Sequence, residues 1–75
     1  MNEVRVVQLG PEAADRGVVE LWQDHARVGI TLIRDGEIVV ELEPAEGSRT
    51  LCLGAHSLAA ALHEAATVLT PHLSS

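Results

Sequence analysis

The sequence predicts an α+β domain: an antiparallel sheet of about five strands in meander order, with one C-terminal helix packed on one face. Three observations carry this reading. Over residues 57–70, Leu58, Ala61, Leu62, Ala65, Val68 and Leu69 fall on one side of a helix, and His63, Glu64, Thr67 and Thr70 on the other. The preceding segments are short, rich in β-branched residues and bounded by Gly, Pro or Asp-Gly. Strands that follow one another through short loops pair as neighbours, and the apolar stripe of the helix is their natural cover.

Taken in order, residues 3–9 (EVRVVQL) read as the first strand, with Val4 and Val6 on one side and Val7 and Leu9 on the other. Either side suits a core, so its facing stays open. Gly10-Pro11 ends it, and residues 12–17 read as a polar loop. Residues 18–23 form the second strand, in which Val19 and Leu21 make the cleaner core pair. Glu20 lies in line with Val18 and Trp22.

The third and fourth strands, 27–33 and 37–42, flank Arg34-Asp35-Gly36. Val28, Ile30 and Leu32 alternate along one, and Ile38, Val40 and Leu42 along the other. A two-residue Asp-Gly turn would set these triplets on opposite faces. A three-residue loop with a bulge and a left-handed Gly36 sets Leu32 against Ile38 and Ile30 against Val40, so the face pattern favours the longer loop. Pro44 ends the fourth strand, and residues 45–48 form a loop. Residues 49–53 read as a fifth strand, Leu51 and Leu53 inward and Cys52 outward. Gly54 turns the chain into the helix, where the Ser57 hydroxyl is the expected cap and Pro71 marks the end. Residues 72–75 read as a frayed tail.

At 75 residues the chain is expected to form a single domain over 1–75. A chain of this size buries only about 60% of its unfolded surface, so self-association is a simple source of added stability. Acidic residues outnumber basic ones 11 to 5, the basic residues are all Arg, and the net charge is −6. That balance disfavours nucleic acid and anionic membranes as partners. Met1 to Leu9 lacks the apolar run of a signal peptide, and no stretch is long enough to span a membrane. With Cys52 alone there is no disulfide, and the expected compartment is the cytoplasm.

The chemistry-bearing residues form no recognisable machinery. Cys52 and His56 have a ligand-like separation but lack the third and fourth ligands a metal needs. His63-Glu64-Ala65-Ala66-Thr67 begins like HExxH and lacks its second histidine. Asp35, Glu37, Glu41, Glu43 and Glu46 are spread by strand alternation, away from any compact calcium loop. A charged edge that resists aggregation accounts for them. No glycine-rich phosphate loop is present. No catalytic residue, metal site or cofactor is therefore expected, and the chain is read as non-enzymatic.

The informative surface is the sheet face away from the helix. On the register above it carries Val18, Trp22, Thr31, Ile33 and Val39, diluted by Glu20, Glu37 and Glu41. An open sheet face usually carries more polar residues. The expected function is a small interaction or regulatory module, a homodimer through this face or an adjacent strand edge, with a protein partner as a further possibility. Trp22, the lone aromatic residue, suits an interface, though burial under the helix is the competing placement.

From residue 18 to 69, four strands followed by an amphipathic helix resemble the Whirly and Pur-alpha type of single-stranded nucleic-acid-binding domain. The resemblance rests on Val28 to Leu32, Ile38 to Leu42, Leu51 to Leu53 and Leu58 to Leu69. It implies pairing into dimers and, as the alternative function, binding of a single strand by Trp22 with Arg27, Arg16 and Arg5. Such domains use basic and aromatic side chains on the sheet. Here acids dominate and Trp22 alone can stack, so the resemblance bears on fold and self-association.

Overall fold

The β-branched segments form a four-stranded antiparallel meander in the order β1-β2-β3-β4. The structure, a computed structural model, describes residues 3–44, 47 and 49–73. Its elements are β1 (Val4–Gln8), α1 (Pro11–Asp15), β2 (Val19–Gln23), β3 (Ala26–Arg34), β4 (Glu37–Leu42) and α2 (Ala55–Leu69). A 3-10 turn over Thr70–His72 follows, so α2 ends just ahead of Pro71, as expected. Ala45, Glu46 and Ser48 of the expected loop, and Ser74 and Ser75 of the tail, lie outside the described residues.

The helix lays its apolar stripe on β1 and β2. Val4, Leu21, Val28 and Ala61 form one buried cluster, and Val19, Ala65 and Leu69 a second, with Val6 packed against both. Burying a Leu such as Leu21 or Leu69, both fully enclosed, contributes roughly 1.5–3 kcal/mol. These contacts settle the facing of β1: Val4 and Val6 turn inward, while Leu9 is exposed. Strands lie about 4.8 Å apart and a helix is about 10 Å across, so one helix covers about two strands. Ile38 on β4 still packs against the second cluster, but Val40 and Leu42 beyond it are exposed.

Five expectations are corrected. First, the β3–β4 connection is a two-residue turn: Arg34 pairs with Glu37, and Asp35 and Gly36 take φ of 55° and 76°. Both positive values are those of a type I′ turn, whose twist matches the flanking strands. Second, the bulge lies elsewhere. Leu21 pairs with Gly29 and Trp22 with Arg27, which leaves Val28 as the extra residue of β3. Val28 is therefore buried with the core while Ile30 and Leu32, in phase with it by simple alternation, turn to the other face.

Third, residues 49–53 form no strand, although Leu51 and Leu53 do pack on the core. Cys52 is held by its carbonyl, which accepts a bond from Gln23 Nε2 at 3.0 Å. Two inward leucines need no ladder to be buried, so their alternation alone does not specify pairing. Fourth, Ser57 does not cap α2, which starts after Gly54. Its Oγ instead accepts from the Val4 N–H and donates to the Val4 carbonyl at 3.2 Å, tying α2 to the outer edge of β1. Fifth, the stretch 12–17 contains α1, with Pro11 in the first turn and Ala13 buried.

Thr31 is fully buried on the helix side of β3. Its Oγ1 accepts from the Val19 N–H at 2.9 Å and donates to the Gly17 carbonyl at 2.8 Å. Thr31→Val keeps the shape and orphans both backbone groups, which costs roughly 2–4 kcal/mol. Thr31→Ser keeps the hydroxyl and costs about 1 kcal/mol. Urea denaturation of the two variants checks the order, and equal losses would show that the hydroxyl contributes nothing.

Candidate interaction surface

Alternation on the corrected register puts Val7 of β1, Glu20 and Trp22 of β2, Ile30 and Leu32 of β3, and Val39 of β4 on the face away from α2. Val18 sits one position before β2 in the same alternation. All six apolar residues are half-buried. Leu32 pairs with Val39, and Ile30 lies between Glu20 and Glu41, so the apolar band runs across the centre of the sheet. Among the described residues no element packs over this face: α1 and α2 both contribute to the clusters on the other side.

Of the residues expected here, Trp22 and Val39 lie on this face, with Val18 beside them. Thr31 and Ile33 do not. Thr31 is enclosed on the helix side, and Ile33 lies against Gly17, where an added Cβ would come within 2.2 Å of Ile33 Cγ1. Ile30, Leu32 and Val7 take their place. The available signal for the first two was the Asp-Gly dipeptide itself, whose preferred two-residue turn sets this register.

Trp22 closes one end of the face within a polar row. It pairs laterally with Arg5 on β1 and Arg27 on β3. The Arg5 guanidinium sits 5.7 Å from the Trp22 ring centroid and donates to the Asp24 carbonyl at 2.6 Å. Glu20 takes a bond from Trp22 Nε1 at 3.0 Å and another from Arg27 at 3.3 Å. The indole is thus fixed at the sheet surface, with a cation over its ring and a carboxylate on its N–H. Placement under the helix is ruled out by this geometry. Arg34 and Glu37 face each other across β3 and β4 at the opposite end.

Two other features bear on chemistry. A cleft of about 470 Å³ beside the β2–β3 turn is lined by Gln23, Asp24, His25, Val28, Leu51 and Cys52, among others. Neither the Cys52 thiol nor the His25 ring makes a hydrogen bond among the described residues, so no nucleophile–base pair is assembled. His56, the expected companion of Cys52, does not line it. Among the described residues no three His, Cys, Asp or Glu side chains converge as metal ligands, and no helix is long and apolar enough to cross a membrane.

Because Trp22 is half-buried and its neighbour Leu21 fully enclosed, their truncations should separate. Leu21→Ala is expected to cost roughly 3–5 kcal/mol. Trp22→Ala should cost about 1–2 kcal/mol, from one cation–π contact and partial burial. Chemical denaturation of dilute protein measures both, and equal losses would make Trp22 a core residue. Set against protein-family models, curated proteins and solved structures, the chain matches none.

Proposed function

We propose that this chain is a small non-enzymatic interaction module that pairs with a second copy of itself through the uncovered sheet face. The observation that carries this reading is the band of Val7, Ile30, Leu32 and Val39 beside Trp22, apolar residues on a face no described element covers. Replacing Thr31 and Ile33 by Ile30 and Leu32 makes the face more apolar than the sequence alone suggested. Its charges are also partly matched within the chain. Glu20 is held by Trp22 and Arg27, so approach of another face meets one fewer unpaired ion, while Glu37 and Glu41 stand at its β4 margin. Identical faces close by a two-fold axis, the commonest arrangement of homo-oligomers.

Single-strand nucleic-acid binding is the second reading, favoured by Arg5 and Arg27 on either side of Trp22. Against it, Arg5 already covers the ring and the net charge is −6.

Sedimentation velocity at about 100 μM, where a dimer with a Kd near 10 μM is mostly formed, should give a dimer mass. Leu32→Glu should be a folded monomer by the same measurement and by circular dichroism. A wild-type monomer ends the proposal. Titration with a short single-stranded oligonucleotide at physiological salt should give no saturable binding. Micromolar binding that Trp22→Ala abolishes would put the second reading first.

A further inference from the structure

The sheet has two edges, and they differ. At β1 the outward N–H and carbonyl of Val4 are both taken by Ser57. At β4 the pairing of Arg34 with Glu37 beside the turn, and the Glu43 N–H donated to the Val28 carbonyl at 2.8 Å, fix which residues bond inward. The odd-numbered residues of β4 bond to β3. Ile38, Val40 and Leu42 therefore turn their N–H and carbonyl groups outward, and no described element pairs with them. Their side chains lie on the helix side, where Val40 and Leu42 are exposed beyond the reach of α2. On the other side of the same strand, Glu37, Glu41 and Glu43 are exposed, and neither described ion pair involves them.

We infer that this edge receives an extended segment of another protein in which apolar and basic residues alternate. Such a strand adds backbone bonds to Ile38, Val40 and Leu42, lays its apolar side chains over Val40 and Leu42, and sets its cations against the glutamates. Charge decides against a second copy here. Antiparallel pairing of β4 with itself, centred on Val39, Val40 or Glu41, sets Glu37 against Glu41, Glu37 against Glu43, or Glu41 against itself. Like charges directly opposite destabilise a strand pair. The outward backbone groups of this edge are distinct from the dimer face, although Glu37 and Glu41 lie on that face beside Val39; Leu32→Glu tests the dimer and Val40→Pro tests the edge, so the two readings fail separately.

The probe is a synthetic eight-residue peptide alternating Val and Lys, titrated into the full chain by calorimetry and by amide-resolved NMR. It should bind saturably, weaken with salt, and slow hydrogen exchange at Ile38, Val40 and Leu42 by about tenfold or more. Val40→Pro removes an outward N–H without touching the ladder to β3, and should lose about tenfold or more in affinity. A peptide N-methylated on alternate residues, which cannot complete the ladder, should also fail, and this control does not depend on a variant folding. The inference is overturned by no binding at about 1 mM, by equal binding of a peptide with its Val and Lys in separate blocks, or by protection at other residues. It is equally overturned if Val40→Pro alone turns a wild-type dimer into a monomer, since the edge would then belong to a second copy.

Discussion

The outward placement of Ile30 and Leu32 on the uncovered face is held by one buried hydroxyl. The β2–β3 ladder runs from Gln23 with Ala26 to Glu20 with Ile30. Beyond it the Thr31 side chain, not the Thr31 backbone, receives the Val19 N–H and passes a proton donor to Gly17. Buried backbone groups left unpaired are costly, so this joint ties the α1–β2 connection to the sheet and holds Thr31 inward. With Thr31 inward, Ile30 and Leu32 must point outward. The bulge at Val28 makes the same demand from the other end of β3, letting Val28 join the core although Ile30 does not.

Much of the fold was legible because its signals were redundant. The α2 stripe came through intact: Ala61, Ala65 and Leu69 are buried, and Leu58, Leu62 and Val68 pack beside them. Val19 and Leu21 were correctly inward, and the inward placement of Leu51 and Leu53 survived the loss of their strand. What failed was parity in β3. Unbroken alternation from Val28 to Leu32 requires a longer Asp-Gly loop, and that is the loop the face pattern predicts. The chain instead keeps the preferred turn and breaks the alternation at Val28. A bulge leaves no residue-type signature there, and a one-residue slip exchanges the two faces. The candidate site was thus legible at Trp22 and Val39 and not at Ile30 or Leu32.

Length explains why so much sheet is left uncovered. The 15 residues of α2 span about 22 Å, enough to run the length of the strands. Its width covers β1 and β2 and leaves β4 beyond Ile38 to solvent. A second helix would have closed that side, but α1 has only five residues and contributes little more than Ala13 and Ala14 to the interior. The α1 segment is also tied to the C-terminal turn by the 2.9 Å contact of Asp15 with His72. The chain therefore devotes its small core to holding one half of the sheet.

The bond between Ser57 and Val4 has a consequence for assembly. A sheet with two open edges can extend from both and propagate into fibres. This one can extend from β4, whereas a strand approaching β1 at Val4 must first displace a helix that belongs to the core. At β4 the outward groups of Ile38, Val40 and Leu42 have no such tie among the described residues, so the two edges of the sheet are not equivalent. A single serine in the first turn of α2 thus closes the start of the β1 edge to strand pairing.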